Sequence, residues 1–394
     1  MSDAWSKQDG GGGSAPELPL HGVVVVELGD SAAGPYAGEV LAALGADVWK
    51  VERPTGDSSR GWGPSQWRGD GAAFHALNRG KRMISVDIKN DRDLARLQRL
   101  IRDHADVFLH NLRPGNAENY GLDAAALRAL KPELVHCELG AFGHVGPMRT
   151  EPGYDPLMQA FAGIMSLTGE ASGPPVRAGV SIVDFGAGLW SALGIVSALV
   201  RRGRLGVGAS VNSSLLETAI GWNTVAIAGF HADGDPGGRH GSGIAFIVPH
   251  RAFPTADGDL VMSAANDGMF AKLARALGHP EWISDPRFAT NEGRLAHRDE
   301  LEGFIEGVAR TATREHWRTV LGAAGVPCAP VQSIAELVEH PQTKALALID
   351  APAGDDIPIV GLPLSFDGVR PPPLHSARPR GADDDALAGL LGEP

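Results

Sequence analysis

A single carboxylate, Asp184, stands in the segment GVSIVDFGAGLW between an apolar run and a glycine-rich stretch. Burying a charge where a predicted strand passes into a helix costs free energy, so its presence needs a reason. An aspartate at a helix start can accept hydrogen bonds from free backbone N–H groups. Alternatively, α/β folds bind ligands at the carboxyl ends of strands, where a carboxylate can react. The local sequence leaves both interpretations open and favours the cap.

A second acid, Asp155 in EPGYDPLMQAF, also precedes an apolar helix and has the same two interpretations. Two carboxylates at two helix starts fit either two caps or a pair of acids tuned to different pKa values. The sequence has no H-E-x-x-H, G-x-S-x-G, C-x-x-C or P-loop lysine motif, so metal catalysis and serine hydrolysis lose their usual support. We expect no metal site.

Basic residues recur near the ends of predicted strands, at Arg53, Lys81, Arg82, Lys89 and Arg113. In a parallel sheet these ends meet at one edge, where several bases can hold a polyphosphate ligand. Scattered, solvated bases are the alternative. The turn ELGDSAAGPYAGEV follows the first strand, but it lacks the G-x-G-x-x-G spacing of a dinucleotide site.

The elements that must position these residues alternate along the chain. Continuously apolar strands such as GVVVVELG and ADVFLHNL alternate with helices such as DRDLARLQRLIRDH, which predicts a Rossmann-like parallel sheet in an α/β fold. After the loop ADGDPGGRHGSG, the segment HRAFPTADGDLVMSAA predicts a hairpin that turns at Asp257–Gly258. Helices follow it, so we expect a second, smaller α+β domain.

Length and composition limit the classes of function. A chain of 394 residues exceeds one core, and its 47 acidic against 35 basic residues give a net charge of −12 with no basic cluster. Nucleic acid is therefore not an expected partner. Residues 185–200 are apolar but shorter than a membrane span, so we expect a buried helix and no membrane. Two distant cysteines and no signal peptide favour the cytoplasm.

Five stretches in this order resemble the family III coenzyme A (CoA) transferases of the CaiB/BaiF type, a group that includes α-methylacyl-CoA racemase. They are LGDSAAGPYAGEVLAALGADVWKVERP, FHALNRGKRMISVDIK, HNLRPGNAENYGLD, PGYDPLMQAFAGIMSLTGE and VDFGAGLWSALGIVSAL. The resemblance implies a large CoA-binding Rossmann-like domain over 19–225 with 335–394, and a small domain over 245–334. Residues 226–244 would form a linker and glycine loop. The resemblance also implies an interlocked homodimer. Apart from the resemblance, the polar and glycine-rich sequence of residues 1–18 predicts a disordered leader.

The resemblance also assigns roles to individual residues. Asp184 matches the catalytic aspartate, which attacks an acyl-CoA thioester and then carries CoA as an aspartyl thioester. Substrate contacts are implied for Tyr154, Asp155, Gly241, Ser242 and Gly243, the last three as a mobile loop that closes over the intermediate. Contacts with CoA are implied for Ser31, Ala32, Ala33, Arg53, Val86, Lys89, Asn111, Leu112 and Arg113. Asn119 stands where the family usually has a basic residue.

Two functions follow from the resemblance, and a third from another class stays open. The first is a CoA-transferase of the EC 2.8.3 type, which takes acyl-CoA, with succinyl-CoA as the suggested donor, and a carboxylic acid as substrates and holds no tightly bound cofactor. The second is an acyl-CoA racemase or epimerase. Racemases have a histidine where this chain has Tyr154, and a tyrosine with a pKa near ~10 exchanges protons poorly at neutral pH. The third is a CoA-binding protein without turnover.

Overall fold

The described part of the chain, residues 17–393 of a computed structural model, divides into two units. Unit 1 comprises residues up to 152 with 184–215 and 348–394, and unit 2 comprises 153–183 and 216–347. The sequence-based boundaries instead assign 153–183, 216–225 and 335–347 to the large domain. Apart from its last two residues, the predicted leader lies outside the described residues.

The strands are mostly short, and the six longest of unit 1 form its sheet. In chain order they are β1 Val24–Leu28, β2 Asp47–Glu52, β3 Gln66–Trp67, β4 Asp70–Gly71, β5 Arg82–Ser85, β6 Val107–His110, β7 Val135–Gly140, β8 Ser210–Ser214, β9 His250–Pro254, β10 Asp259–Ser263, β11 Cys328–Pro330, β12 Ile349–Asp350 and β13 Ile359–Val360.

The α-helices range from single turns to 24 residues. They are α1 Ala33–Ala43, α2 Ala72–Asn78, α3 Asp91–His104, α4 Asn116–Asn119, α5 Ala124–Leu130, α6 Asp155–Phe161, α7 Ile164–Leu167, α8 Ile182–Leu205, α9 Leu215–Trp222, α10 Thr224–Asp233, α11 Asp267–Ala276, α12 Asn291–Ala296, α13 Arg298–Ala309, α14 Arg314–Ala323, α15 Ile334–Glu339, α16 Pro341–Leu346 and α17 Asp384–Leu390. Short 3-10 helices cover Ser58–Gly61 and Pro280–Ile283.

The sheet of unit 1 confirms the predicted parallel α/β architecture. Its order is β5-β2-β1-β6-β7-β8, and each neighbouring pair is parallel. Counted within the sheet this is 3-2-1-4-5-6, the Rossmann order. Val25 packs on one face with residues of α1 and α8, whereas Val26 packs on the other face with residues of α3. The strands are therefore buried on both faces, as continuous apolar runs require.

The carboxyl-terminal segment covers the β5 edge of this sheet. The Asp383 backbone donates to Met83 O at 3.0 Å, and its carboxylate accepts the Met83 N–H at 2.9 Å. The Asp384 carboxylate accepts the Ser85 N–H at 2.8 Å. Backbone groups of the edge strand that would otherwise face solvent are thus paired within the chain.

Helix α8 differs in two ways from the sequence-based expectation. The predicted strand over 179–183 is absent from the described structure, and the helix itself begins at Ile182. Its 24 residues also overturn the argument that the segment is too short for a membrane span, because by length and composition alone it could cross one. A core helix passes the same test, and one face of α8, with Ala192 and Ile195, packs in the unit 1 core.

Unit 2 contains the antiparallel sheet β11-β10-β9. Strands β9 and β10 form the predicted hairpin, in which Thr255 N–H donates to Gly258 O at 2.8 Å. Helices α11, α13 and α14 cover the sheet and contribute Phe270, Leu301 and Trp317 to one apolar core. This part of the chain is α+β, as its sequence pattern predicts.

Candidate active site

Four neighbouring strands of unit 1 deliver most of the predicted CoA contacts to one edge. Strands β5, β2, β1 and β6 lie side by side and parallel, so the residues that follow them meet at the carboxyl edge. These residues are Ser31 and Ala32 after β1, Arg53 after β2, Val86 and Lys89 after β5, and Asn111, Leu112 and Arg113 after β6. Ala33 is already the first residue of α1.

The turn after β1 is held in a strained conformation. Ser31 has a φ of 75°, in the left-handed region that costs a non-glycine residue free energy. The Asn111 side chain clamps the preceding residue, because its Oδ1 accepts the Asp30 N–H at 3.0 Å and its Nδ2 donates to Asp30 O at 2.8 Å. Asn111 thus has a visible role in shaping the turn where Ser31 and Ala32 present their backbone.

The Asp30 side chain collects a further set of donors. Its Oδ1 accepts the Ser58 N–H at 2.8 Å and the Ser58 hydroxyl at 2.9 Å, and its Oδ2 pairs with Arg53 at 3.0 Å. Arg53, assigned to a CoA phosphate by the resemblance, is therefore already engaged by a carboxylate. Its side chain remains 56% exposed, which leaves room for a second anionic partner.

Asp184 lies in the first turn of α8 and is partly buried. It is the third residue of the helix rather than its cap, and the carboxylate is favourably placed relative to the positive end of the helix dipole. Gly188 lies one turn later on the same face. A Cβ at Gly188 would be 2.6 Å from Ala33 O, so only glycine lets α8 approach the start of α1 this closely. Tyr36 and Phe185 add a ring contact at 4.9 Å between centroids.

In unit 2, Asp155 is 1% exposed and starts α6. Its carboxylate accepts the Gln159 Nε2–H at 2.6 Å and the Val183 N–H at 2.8 Å. Asp155 is therefore a cap, but of the first turn of α8 rather than of its own helix. Tyr154, by contrast, is 58% exposed.

The predicted glycine loop, Gly241–Gly243, also lies in unit 2, and each of its three residues makes a hydrogen bond in the described structure. Gly241 N–H donates to Gly169 O at 2.9 Å, and the Ser242 hydroxyl accepts the Ala252 N–H at 3.0 Å. Gly241 has a φ of 58°, and a Cβ there would meet the Glu170 carboxylate at 2.8 Å. Gly243 N–H donates to His240 O at 2.8 Å. The backbone at 241 thus requires glycine.

Several basic and apolar positions differ from their predicted placement. Val86 is 2% exposed, and its side chain packs in the core. Lys81 and Arg82 stand at the amino end of β5, away from the edge where a polyphosphate was expected. Lys89 and Arg113 are exposed at the carboxyl edge, and Asn119 is exposed at the end of α4.

A buried cluster beneath the turn was not recognised from the sequence. Glu27 and Lys50 are direct partners across β1 and β2, both fully buried, with Lys50 Nζ 3.0 Å from Glu27 Oε1. The available signal was one charged residue inside each of two apolar strands, VVVEL and DVWKVE, at matching positions. Within residues 17–393, no group of three or more His, Cys, Asp or Glu side chains could hold a metal ion.

Comparisons with known proteins find relatives over most of the chain. The sequence model of CoA-transferase family III matches residues 20–384. A succinate–glutarate CoA-transferase from Agrobacterium fabrum is 37% identical over 385 residues, 95% of each chain. A succinyl-CoA–D-citramalate CoA-transferase from Chloroflexus aurantiacus is 36% identical, covering 83% of this chain and 81% of the relative. The crystal structure of a CaiB/BaiF family protein from Brucella suis superposes with a TM-score of 0.87 at 35% identity, over 95% of this chain and all of that one.

Proposed function

Because this chain belongs to CoA-transferase family III, as the resemblance predicts, we propose that it moves CoA from an acyl-CoA donor to a carboxylic acid through Asp184. Relatives named as CoA-transferases support acyl-CoA and carboxylate substrates. The observation that carries the proposal is the position of Asp184, one helical turn before the glycine that packs against the start of α1.

The proposed cycle conserves the thioester. The Asp184 carboxylate attacks the acyl-CoA carbonyl, which forms a mixed anhydride and releases CoA thiolate. The thiolate then attacks the aspartyl carbonyl, giving an aspartyl-CoA thioester and the free donor acid. The acceptor carboxylate attacks this thioester to form a second anhydride and release the thiolate. The thiolate takes the acceptor acyl group, and Asp184 returns as a carboxylate.

The backbone at the start of α1 can supply transition-state stabilisation. The N-cap, Ala32, has no side-chain oxygen to cap the first turn, and no acidic residue occupies that turn. Amide N–H groups at a helix start can donate to an oxyanion, and such preorganised donors are worth roughly 3–4 kcal/mol each. The small residues from Ser31 to Gly34 leave room for a thioester carbonyl to approach them.

We assign CoA to the carboxyl edge of the unit 1 sheet. The exposed Lys89 and Arg113 are available to its phosphates there, and Arg53 can exchange the Asp30 carboxylate for a phosphate. CoA is a substrate in this scheme rather than a resident cofactor. We propose succinyl-CoA as the donor, since two of the relatives reported above bear names that include succinate or succinyl-CoA.

We also infer that the protein works as a homodimer and that the loop at Gly241–Gly243 shields the intermediate from water. Large apolar side chains on α8 support the dimer, since Leu189, Leu193 and Val200 are each at least 49% exposed. Apolar surface of this kind on an otherwise acidic protein is typical of an assembly interface.

The test is chemical trapping of Asp184. The protein is incubated with succinyl-CoA, treated with hydroxylamine or borohydride, and digested for peptide mass analysis. A modification on Asp184, together with CoA transfer to an acceptor found by screening carboxylic acids, is the expected result. Asp184→Asn should lower kcat by at least about a thousandfold without lowering the thermal midpoint by more than a few degrees.

Other outcomes separate the alternatives. Exchange of the α-proton without acyl transfer indicates a racemase, and CoA binding without an adduct from several donors indicates a binding protein. An Asp184→Asn variant that transfers CoA as fast as the parent overturns the proposal.

A further inference from the structure

Four buried charges lie beneath the turn that follows β1. Lys50 Nζ lies 3.0 Å from Glu27 Oε1 and 2.8 Å from Asp57 Oδ2, and Lys81 Nζ lies 2.7 Å from Glu27 Oε2. The side chains of Glu27, Lys50 and Lys81 are completely inaccessible to solvent. We call Glu27, Lys50, Asp57 and Lys81 the buried ion cluster. Its charges balance, but the cost of desolvating buried charges can exceed their attraction, so net stabilisation does not account for the cluster by itself.

Both lysines also donate to backbone carbonyls at the two ends of the turn. Lys50 Nζ donates to Gly29 O at 2.8 Å, and Lys81 Nζ donates to Pro35 O at 2.7 Å. The six residues from Asp30 to Pro35 include the strained Ser31 and the uncapped start of α1. A strained residue persists only where its surroundings hold it. Asn111 holds Asp30 next to the strained residue, and the two ammonium groups bind the carbonyls at either end of the segment.

A glycine in α1 leaves space for the buried ion cluster. A Cβ at Gly38 would overlap Glu27 Oε2, so α1 needs glycine at this position to accommodate the carboxylate. Asn78 Oδ1 accepts a further hydrogen bond from Lys81 at 3.0 Å. Elements on each side of the cluster are thus shaped to receive it.

The same turn contacts the helix that carries the proposed nucleophile. Ala33 O and Tyr36 approach α8 at Gly188, and Asp184 shares that helix face. We propose that the buried ion cluster is a positioning device, which fixes the backbone of residues 29–35 at the distance from Asp184 that the acyl transfer needs. This inference rests on the proposed function, and Lys50, Lys81 and Glu27 are positioning residues within it.

Burial supplies a pH signature for this device. Desolvation lowers the pKa of Lys81 to about 8, although Glu27 opposes the shift. The other charged groups that face Lys81 are Lys50 from β2 and Glu39 from α1, and Glu39 is itself paired with Arg79. Above about pH 8 the Lys81 ammonium loses its proton, and its hydrogen bond to Pro35 O weakens. We therefore expect kcat to decline on the alkaline side with a midpoint near this pH.

The main test is the charge-balanced double variant Glu27→Gln/Lys81→Met, because removing one charge alone leaves its partner unpaired and endangers folding. We expect kcat to fall by at least about tenfold while KM for acyl-CoA changes by less than about threefold. The alkaline decline near pH 8 should disappear. Lys81→Arg keeps a charged donor. Its kcat should therefore lie between those of the double variant and the wild type, and its alkaline decline should occur at higher pH.

Arg82→Met is the matched control. Arg82 is the next residue, but it pairs with Asp47 on a partly exposed surface, so its loss should leave kcat and the pH profile unchanged. A folded double variant with the parental kcat overturns the proposal. So does a loss of kcat that only matches a loss of folded protein, measured by the thermal midpoint and circular dichroism.

Hydrogen–deuterium exchange separates this inference from the proposed function. The peptide covering residues 29–36 should exchange faster in the double variant than in the wild type, whereas a peptide from α3 should not change. This readout needs no activity. If the wild-type protein transfers no CoA, the proposed function is contradicted. Faster exchange in the double variant would still support the positioning role of the buried ion cluster. If residues 29–36 exchange at the same rate in the double variant and the wild type, the positioning role of the buried ion cluster is contradicted, even when the enzyme is active.

Discussion

Asp155 and Asp184 show how two similar carboxylates acquire different roles. Asp155 is buried and accepts hydrogen bonds from Gln159 and the Val183 backbone, which commits both of its oxygens to holding α8. Asp184 is partly buried in the first turn of that helix, beside small residues. The sequence offers a cap and a reactive carboxylate as interpretations of both acids. In the structure Asp155 is a cap, and Asp184 is the proposed nucleophile.

Asp155→Ala should destabilise unit 2 more than a typical surface substitution. It removes the acceptor for Val183 N–H and leaves the buried Gln159 amide without this partner. The cap contributes about 1 kcal/mol and the unpaired donor about 1–3 kcal/mol, so we expect the free energy of unfolding to fall by about 2–4 kcal/mol. Urea unfolding measures it.

Asp155→Asn is the control for this substitution, because the amide keeps one carbonyl oxygen. Its destabilisation should be about half that of the alanine variant or less. Equal stability of Asp155→Ala and the wild type would show that the carboxylate does not hold the helix.

At the level of elements, strands β6 and β7 bury two imidazole rings side by side. The His110 and His136 rings lie 5.0 Å apart between centroids. His110 Nδ1 accepts the Leu112 N–H at 3.4 Å, which fixes a neutral ring beside the predicted site residues that follow β6. Burial lowers the pKa of His110 to about 3 and also lowers the pKa of His136.

These shifts predict acid sensitivity. Between about pH 6.5 and 3 the unfolded chain binds a proton at position 110 that the folded protein excludes, so stability falls as the pH falls through this window. His110 contributes a slope of up to about 1.4 kcal/mol per pH unit. We expect His110→Gln to reduce the slope by this amount in urea unfolding at pH 5–6.5. An unchanged slope would show that His110 is protonated in the folded state.

The elements also show what the sequence can predict. Apolar strands alternating with helices predict the parallel sheet correctly, because burial on both faces leaves a continuous apolar signal in each strand. The strand expected at 179–183 does not form, and within residues 17–393 this segment belongs to none of the sheets. Ala178 N–H donates instead to the Gln159 side chain at 2.8 Å, and the helix then starts at Ile182 with help from a carboxylate 28 positions away from Val183. The local sequence pattern cannot reveal either of these contacts, because both partners are distant in sequence.

Side-chain direction was a second source of error within the candidate site. Strand ends locate Arg53, Lys89 and Asn111 at one edge, which parallel topology requires. The same reasoning cannot tell that Val86 faces the core or that Lys81 turns inward to Glu27, because both depend on neighbouring strands in register. Ser31 gave no signal either, since its φ of 75° is imposed by Asn111 and the groups around Asp30.

For the whole molecule, the exposed side of α8 predicts self-association. Leu189, Leu193 and Val200 recur on one face of the helix, which predicts a protein of two chains in light scattering after size exclusion. Leu189→Glu/Leu193→Glu should shift the protein toward monomers or reduce its solubility. Leu130→Glu, at an exposed apolar residue on α5, should leave the mass unchanged. A wild-type monomer at micromolar concentration would contradict the homodimer.

The covered edge of β5 has a consequence for biosynthesis. Asp383 and Asp384 complete the pairing of a strand that the ribosome made some 300 residues earlier. During synthesis the β5 edge of unit 1 therefore stays unpaired until residues 383 and 384 have been made, which is after residues 216–347 of unit 2. A chain truncated before residue 383 would leave that edge free to pair with other chains, so such truncated products should be aggregation-prone.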